Sequence, residues 1–332
     1  MATLYLTEQG SKLTRDHARL RVEREGEVLL DIPAFKVDRV VVFGNVQLST
    51  PAMAYLMEEG VDTVFLTIHG RLRGRLESPH SRNVPIRIRQ FERFREPDFR
   101  LTIGRAIVQG KLENAIRVLQ RFTRNHPGEA DFSSETAALE RGIRQTEVAA
   151  EVGSLMGIEG TATAAYFQAF AKMMRGDLQF VGRSRRPPRD PPNALLSLGY
   201  SMLTNEALGA VVAAGLDPYV GFLHGIDYGR PSLALDLVEE FRHPVVDRLV
   251  LTVLNRKVLA AEDFQVREDG GMVLQEEALK RFVKEYEQRM LQSFRHARTN
   301  EPMTERKLLH TQGQLLARTI ERKAEYLPYL ME

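Results

Sequence analysis

Residues 217–242 read DPYVGFLHGIDYGRPSLALDLVEEFR: an apolar run, a glycine-bounded loop and a helix start in succession. The run from Tyr219 to Leu223 delivers His224 to the mouth of the loop, and Pro231 and Ser232 open the helix. That helix carries Asp236, Glu239 and Glu240. Residues at i, i+3 and i+4 share a helix face, so the three carboxylates are expected to point together towards one place. A loop histidine facing helical carboxylates is a donor set that divalent ions of the manganese and magnesium type accept. Two blander readings compete: a core histidine bonded to backbone, and a solvated acidic face. Asp236 fits the second poorly, because Leu233, Leu235, Leu237 and Val238 surround it and a buried charge is costly unless paired.

Helical patterning extends on both sides of this stretch. Upstream, a helix is expected from Asp98 to Arg124, another from Ser133 to Leu155, and a third from near Glu159 through ATAAYFQAFAKMM. The segment RGDLQFVGRSRRPPRDPPN, 175–193, reads as a loop, and Asn193 as the N-cap of a helix that Gly215 closes. Downstream, His243 and Pro244 are expected to break the chain before a helix over 244–259. A hairpin or turn follows near Arg267–Gly271, then helices over 275–292 and 303–326. Residues 1–76 differ: seven short β-branched or alternating segments separated by turn residues, with one helix from about Ser49 or Thr50 to Glu59. Thr50 reads as its N-cap, with Pro51 at its first position and Gly60 beyond its end. The expected architecture is α+β: a small β-domain over 1–80, then a larger all-α domain over 81–332 that holds the site. Seven short strands leave sheet edges to be covered, and a partner subunit is one way to cover them.

Composition narrows the chemistry. The 332 residues include no cysteine, which excludes disulfides, thiolate metal sites and a cysteine nucleophile, so any metal must be held by His, Asp and Glu. The first residues lack the pattern of a signal peptide, and no apolar run approaches the ~20 residues of a membrane span; a cytoplasmic protein is expected. Net charge is only +2, but it is unevenly spread. Residues 81–126 hold eleven Lys and Arg against four acids, and 171–190 hold six against two, local bands of the kind that phosphate contacts require. Arg dominates both bands and matches phosphate bidentately, which favours nucleic acid over a merely solvated helix face. There is no G-x-S-x-G, Walker A or dinucleotide-binding glycine motif. Tyr166, Tyr200 and Tyr219 read as core residues rather than nucleophiles. Glu159, between Gly157 and Gly160, is either a ligand approached closely past small neighbours or an acid answering a helix dipole. Acids, one histidine, no thiol and basic bands together favour metal-assisted phosphoryl chemistry.

Three stretches in order, GIEGTATAAYF at 157–167, RPPRDPPNALLSLGYSMLTNE at 186–206 and DPYVGFLHGIDYGRPSLALDLVEEFRHPVVDR at 217–248, resemble the CRISPR-associated integrase family, the Cas-one adaptation nucleases. The resemblance covers essentially the whole chain and includes the β-first, helix-second layout. It implies Mg²⁺ or Mn²⁺ held by Glu159, His224 and Glu239, with Asp236 as a second acid close to the metal. It implies an integrase in which the 3′-hydroxyl of a captured double-stranded DNA fragment attacks a phosphodiester of the CRISPR repeat. It further implies homodimers joined through the β-domains and bridged by a small second adaptation subunit, with no membrane. Arg183, Arg185, Arg186 and Arg189, with the Arg-rich 82–100 stretch, are the candidate phosphate contacts. The competing functions are a metal-dependent nuclease hydrolysing branched DNA with the same ligands, and a non-catalytic DNA-binding scaffold whose acids are structural.

Overall fold

The computed structural model describes residues 2–77, 83–176, 178–295 and 300–331. The chain divides into two compact units, 1–82 and 83–332.

The first unit contains β1 (Ala2–Leu6), β2 (Lys12–Asp16), β3 (Arg19–Arg24), β4 (Glu27–Pro33), β5 (Val37–Phe43), β6 (Gln47–Leu48), α1 (Thr50–Glu58), β7 (Asp62–Leu66) and β8 (Leu72–Leu76). The strands form two four-stranded sheets, ordered β1-β5-β7-β8 and β4-β3-β2-β6. All seven expected strands are present. The additional one, β6, is only two residues long and pairs in parallel with β2, too short to leave an alternating pattern. In the first sheet β1 and β7 run parallel to β5, while β8 turns back antiparallel. This explains the unbroken apolar run of β5: Val40, Val41, Val42 and Phe43 are all buried, as a strand covered on both faces requires. Leu4 and Leu6, Leu13, Leu20 and Val22, and Ala52 and Leu56 of α1 share one core with β5. Ser49 rather than Thr50 caps α1, its hydroxyl accepting from the Ala52 amide at 3.4 Å. The outer strand β4 exposes Val28, Leu29 and Leu30 in succession.

The second unit is helical: α2 (Val84–Phe94), α3 (Pro97–Asn125), α4 (Ser133–Val148), α5 (Val152–Met173), α6 (Pro191–Ala213), α7 (Ser232–Val238), α8 (Arg248–Asn255), α9 (Glu276–Leu291) and α10 (Glu305–Ile320). Two small antiparallel pairs accompany them, β9 (Phe264–Val266) with β10 (Met272–Leu274), and β11 (Ser293–Arg295) with β12 (Pro302–Thr304). Helices α3, α4 and α5 pack on one another, and α6 packs on α7 and α10. No helix among the described residues is long and apolar enough to cross a membrane.

Four boundaries differ from the sequence reading, each for a local reason. The helix expected to run to Leu155 stops at Val148, because Arg105 donates to the carbonyls of Thr146 (2.9 Å) and Ala149 (3.0 Å) that would otherwise end it unsatisfied. Glu159 therefore lies in the second turn of α5, past the reach of an N-terminal dipole. The N-cap of α6 is Asp190, whose Oδ1 accepts from the Asn193 amide at 2.7 Å. Asn193 is wholly buried and instead ties down the preceding loop. His243 and Pro244 do not break the chain: residues Arg242–Asp247 wind through a wide π-type turn, which seats a proline lacking an N–H, and lead directly into α8. The last helix ends at Ile320, and Arg322 adopts φ 59°, after which the chain runs extended.

Candidate active site

Asp236 organises the loop that carries His224. Its carboxylate is fully buried and accepts four hydrogen bonds. The amides of Phe222 and Leu223 donate to Oδ2 at 2.6 and 3.0 Å. The His224 amide donates to Oδ1 at 2.8 Å, and His224 Nδ1 lies at the same distance. With the Nδ1 proton committed to Asp236, the imidazole keeps its lone pair on Nε2, the arrangement by which a carboxylate orients a metal-binding histidine. Burial pulls the His224 pKa down, but the bond to Asp236 and the charges of Asp236 and Glu239 outweigh it and raise the pKa. The loop passes so close to α7 that a Cβ on Gly221 would lie 2.7 Å from both the His224 carbonyl oxygen and the Ser232 carbonyl carbon. Gln90 of α2, fully buried, staples the entry to the loop by donating to the carbonyls of Asp217 and Val220, each at 2.9 Å.

Glu159 on α5 and Glu239, just beyond α7, meet at one point. Lys111 of α3, only 1% exposed, sends its ammonium group between them. It donates to Glu159 Oε1 and lies 2.6 Å from Glu239 Oε2. Thr163, one turn along α5, donates to the same Glu159 oxygen at 2.8 Å. The remaining oxygen of Glu239 accepts from Arg242 at 2.9 Å. Burial opposes ionisation of both acids. For Glu239 the charges of Arg242 and Lys111 win and hold the carboxyl well below the usual range. For Glu159 the charge of Lys111 wins despite the neighbouring Glu239.

The expectation that Asp236, Glu239 and Glu240 converge is not met. The helix ends at Val238, and the three acids turn to three different partners. Asp236 binds the loop, Glu239 binds Lys111 and Arg242, and Glu240 binds Gln312, Tyr326 and Tyr329. Glu240 is fully buried; its Oε2 accepts from Gln312 (2.9 Å) and the Tyr329 amide (2.7 Å), and its Oε1 from the Tyr326 hydroxyl. Asn114 of α3 closes the same junction by donating to the carbonyls of Glu240 and Tyr329, each at 2.8 Å, and accepting from the Met331 amide.

The resemblance put Glu159, His224 and Glu239 on one ion with Asp236 nearby; the structure brings Glu159 and Glu239 together on Lys111, which the sequence reading missed, and bonds His224 to Asp236. Among the described residues no three His, Asp or Glu side chains already form a metal-holding group. The donor set nevertheless suits a hard divalent ion. Two carboxylates from different elements already share one positive charge, each oxygen of Glu239 faces a cation, and His224 lies close enough to Glu239 for their charges to interact.

The Arg-rich loop divides in two. Arg183 is turned inward: it donates to Asn193 Oδ1 and the Ser184 carbonyl, each at 2.6 Å, and lies over the Tyr200 ring. Burial lowers its pKa to about 10. Arg185, Arg186 and Arg189 are exposed. Tyr200 donates to Asp247, which also bonds His243 Nδ1 at 2.6 Å, and Arg242 lies over Tyr200 at 4.2 Å. This buried group backs the arginine that holds Glu239. Tyr166 is fully buried and packs on His243 with ring centroids 4.0 Å apart.

Comparison with known proteins identifies the family to which the chain belongs. The family model described as CRISPR associated protein Cas1 matches residues 4–288. The CRISPR-associated endonuclease Cas1 1 of Thermus thermophilus is 38% identical over 337 residues, covering 99% of each chain. The CRISPR-associated endonuclease Cas1 1 of Chlorobaculum tepidum is 36% identical, covering 98% of this chain and 97% of its own. Among solved structures, a Cas1 protein of Thermotoga maritima superposes with a TM-score of 0.82 at 26% identity, with each chain covered completely. A casposase bound to integration product shares the fold with a TM-score of 0.87 at 24% identity, covering 99% of this chain and 93% of its own. Sequence and fold together place this chain in the Cas1 family of CRISPR-associated proteins.

Proposed function

We propose that this protein is a divalent-metal-dependent DNA nuclease and strand transferase of CRISPR adaptation, joining the 3′-hydroxyl of a captured double-stranded fragment to a phosphodiester of the repeat array. The observation that carries this reading is the meeting of Glu159 and Glu239 at one cation position beside a histidine whose Nε2 is left free. Membership in a family whose relatives are endonucleases supports phosphodiester chemistry. Glu159, Glu239 and His224 would hold Mg²⁺ or Mn²⁺, which when bound supplies charge neutralisation and polarisation of the scissile phosphate. Asp236 keeps the His224 ring in one tautomer and one orientation. Arg242, backed by Tyr200, prevents the Glu239 carboxylate from turning away. Arg185, Arg186 and Arg189 stand ready for phosphate contacts, while Arg183 shapes the loop that presents them.

Assembly follows the same reading. The exposed apolar strand β4 is an unprotected edge, which supports a homodimer formed through the β-units and bridged by the small second adaptation subunit. The enzymatic test is Glu239→Ala in an assay that separates joining from hydrolysis. A branched fragment and a labelled repeat duplex in Mn²⁺ yield a product longer than the labelled strand only by joining. We expect the parent to form it and the variant to lose both products. Equal joining by the variant would remove Glu239 from the site. Cleavage without joining by the parent would favour the hydrolytic reading.

A further inference from the structure

We propose that Lys111 is a built-in counter-cation that holds Glu159 and Glu239 together in the metal-free protein and must yield their oxygens to the divalent ion. The inference rests on the metal-dependent reading above and adds a competitor to it. Lysine is almost never fully buried unless paired, and Lys111 is 1% exposed with both of its carboxylate partners drawn from the proposed ligand set. Without a positive charge between them, two partly or fully buried carboxylates sharing one partner would repel and turn apart. The ammonium removes that repulsion, so the pair is already in place before any ion arrives.

The same geometry makes Lys111 a rival. The oxygens it occupies are Glu159 Oε1 and Glu239 Oε2, while the other oxygen of Glu239 is committed to Arg242. An ion bridging the two acids has to share or take an oxygen that Lys111 now holds. Lys111 and Arg242 stand against the carboxylates of Glu159, Glu239 and the buried Asp236, so an added divalent ion leaves a net positive charge at the site. A phosphodiester backbone, which brings negative charge, would restore the balance. The protein is therefore built to bind its metal weakly alone and more tightly with DNA in place.

The test is Mn²⁺ binding by calorimetry to the full-length parent, Lys111→Met and Glu239→Ala, with thermal unfolding in EDTA and in saturating Mn²⁺. Lys111→Met is expected to bind Mn²⁺ about tenfold or more tightly than the parent. It should melt below the parent in EDTA and near it in Mn²⁺. Equal or weaker Mn²⁺ binding by Lys111→Met would overturn the competition. Binding unaffected by Glu239→Ala would instead overturn the site assignment, so the two failures are distinguishable. Should Lys111→Met not fold in EDTA, the parent alone decides. Amine acetylation at Lys111, read by mass spectrometry, should be negligible in EDTA and rise severalfold with Mn²⁺ and duplex DNA. An unchanged rate would refute displacement.

Discussion

Replacing Asp236 with Asn removes one negative charge and one acceptor from a site with four N–H groups to satisfy. The carboxylate accepts two bonds on each oxygen, three from backbone amides and one from His224 Nδ1. An amide keeps one oxygen and turns an NH₂ group towards two N–H donors, so two charge-assisted bonds are lost whichever way it faces. At roughly 1.5–3 kcal/mol each, the expected loss is about 3–6 kcal/mol. That is a large part of the ~5–15 kcal/mol that stabilises a typical domain. Urea denaturation of the full chain, followed by helical circular dichroism, reads this as a lower midpoint. If the amide settles with its NH₂ towards His224, Nδ1 must become the acceptor and the proton must move to Nε2. Nitrogen NMR of the histidine ring would then show the opposite tautomer, and Mn²⁺ affinity should fall about 10–100-fold. A loss of stability below about 1 kcal/mol, with an unchanged His224 tautomer, would refute the account of Asp236 as the residue that builds the loop.

Other outcomes follow from single features. His243 is buried with its Nε2 unpartnered, and burial, together with the charges of Lys111 and Arg242, lowers its pKa despite Asp247. The unfolded chain therefore takes up a proton near pH 6.5 that the native state refuses. Stability should fall as pH drops from about 7 through the depressed pKa, and the melting temperature of His243→Gln should vary less over that window. Replacing both Arg185 and Arg186 with Ala should reduce the slope of log affinity against log salt by about two on duplex DNA; an unchanged slope places the loop away from DNA. Sedimentation of the full chain at micromolar concentration should give a dimer that Leu29→Glu on strand β4 converts to monomer. A monomeric parent would defeat that assignment.

Much of the architecture was legible because it follows from period and punctuation. The strands of the first unit are short, β-branched and set off by turn residues, and α1 announces itself by Pro51 and Gly60, although Ser49 rather than the expected Thr50 caps it. The site was legible in part. Asp236 stood out because leucines flank it, and an acid in apolar company must find donors. Glu240 has the same property and a different purpose, since its donors come from residues 72 to 89 positions away and no local pattern points to them. Lys111 passed as one more cation in a basic helix. The clue was its phase: Ile107 and Val108 precede it, and Leu112 and Ala115 follow, all on the buried stripe of α3. A lysine on the apolar face needs a carboxylate from elsewhere, and that signal identifies it without any structure.

The junction of Asn114, Glu240 and the segment 326–331 has a consequence for how the protein is made. Asn114 and Tyr329 are 215 residues apart, and Met331 also accepts from Arg117 at 2.5 Å. A Cβ on Gly110 would lie 2.5 Å from Pro328, so this last described stretch is packed directly against α3. A nascent chain can close its local helices early, and Lys111 and Arg242 can already hold Glu239, yet the neighbouring Glu240 lacks its donors until Gln312, Tyr326 and Tyr329 have been made. Contacts of such long sequence separation form late, after most of the chain has collapsed. The turn that bears Glu239 and Glu240 thereby receives its most distant hydrogen bonds late in folding.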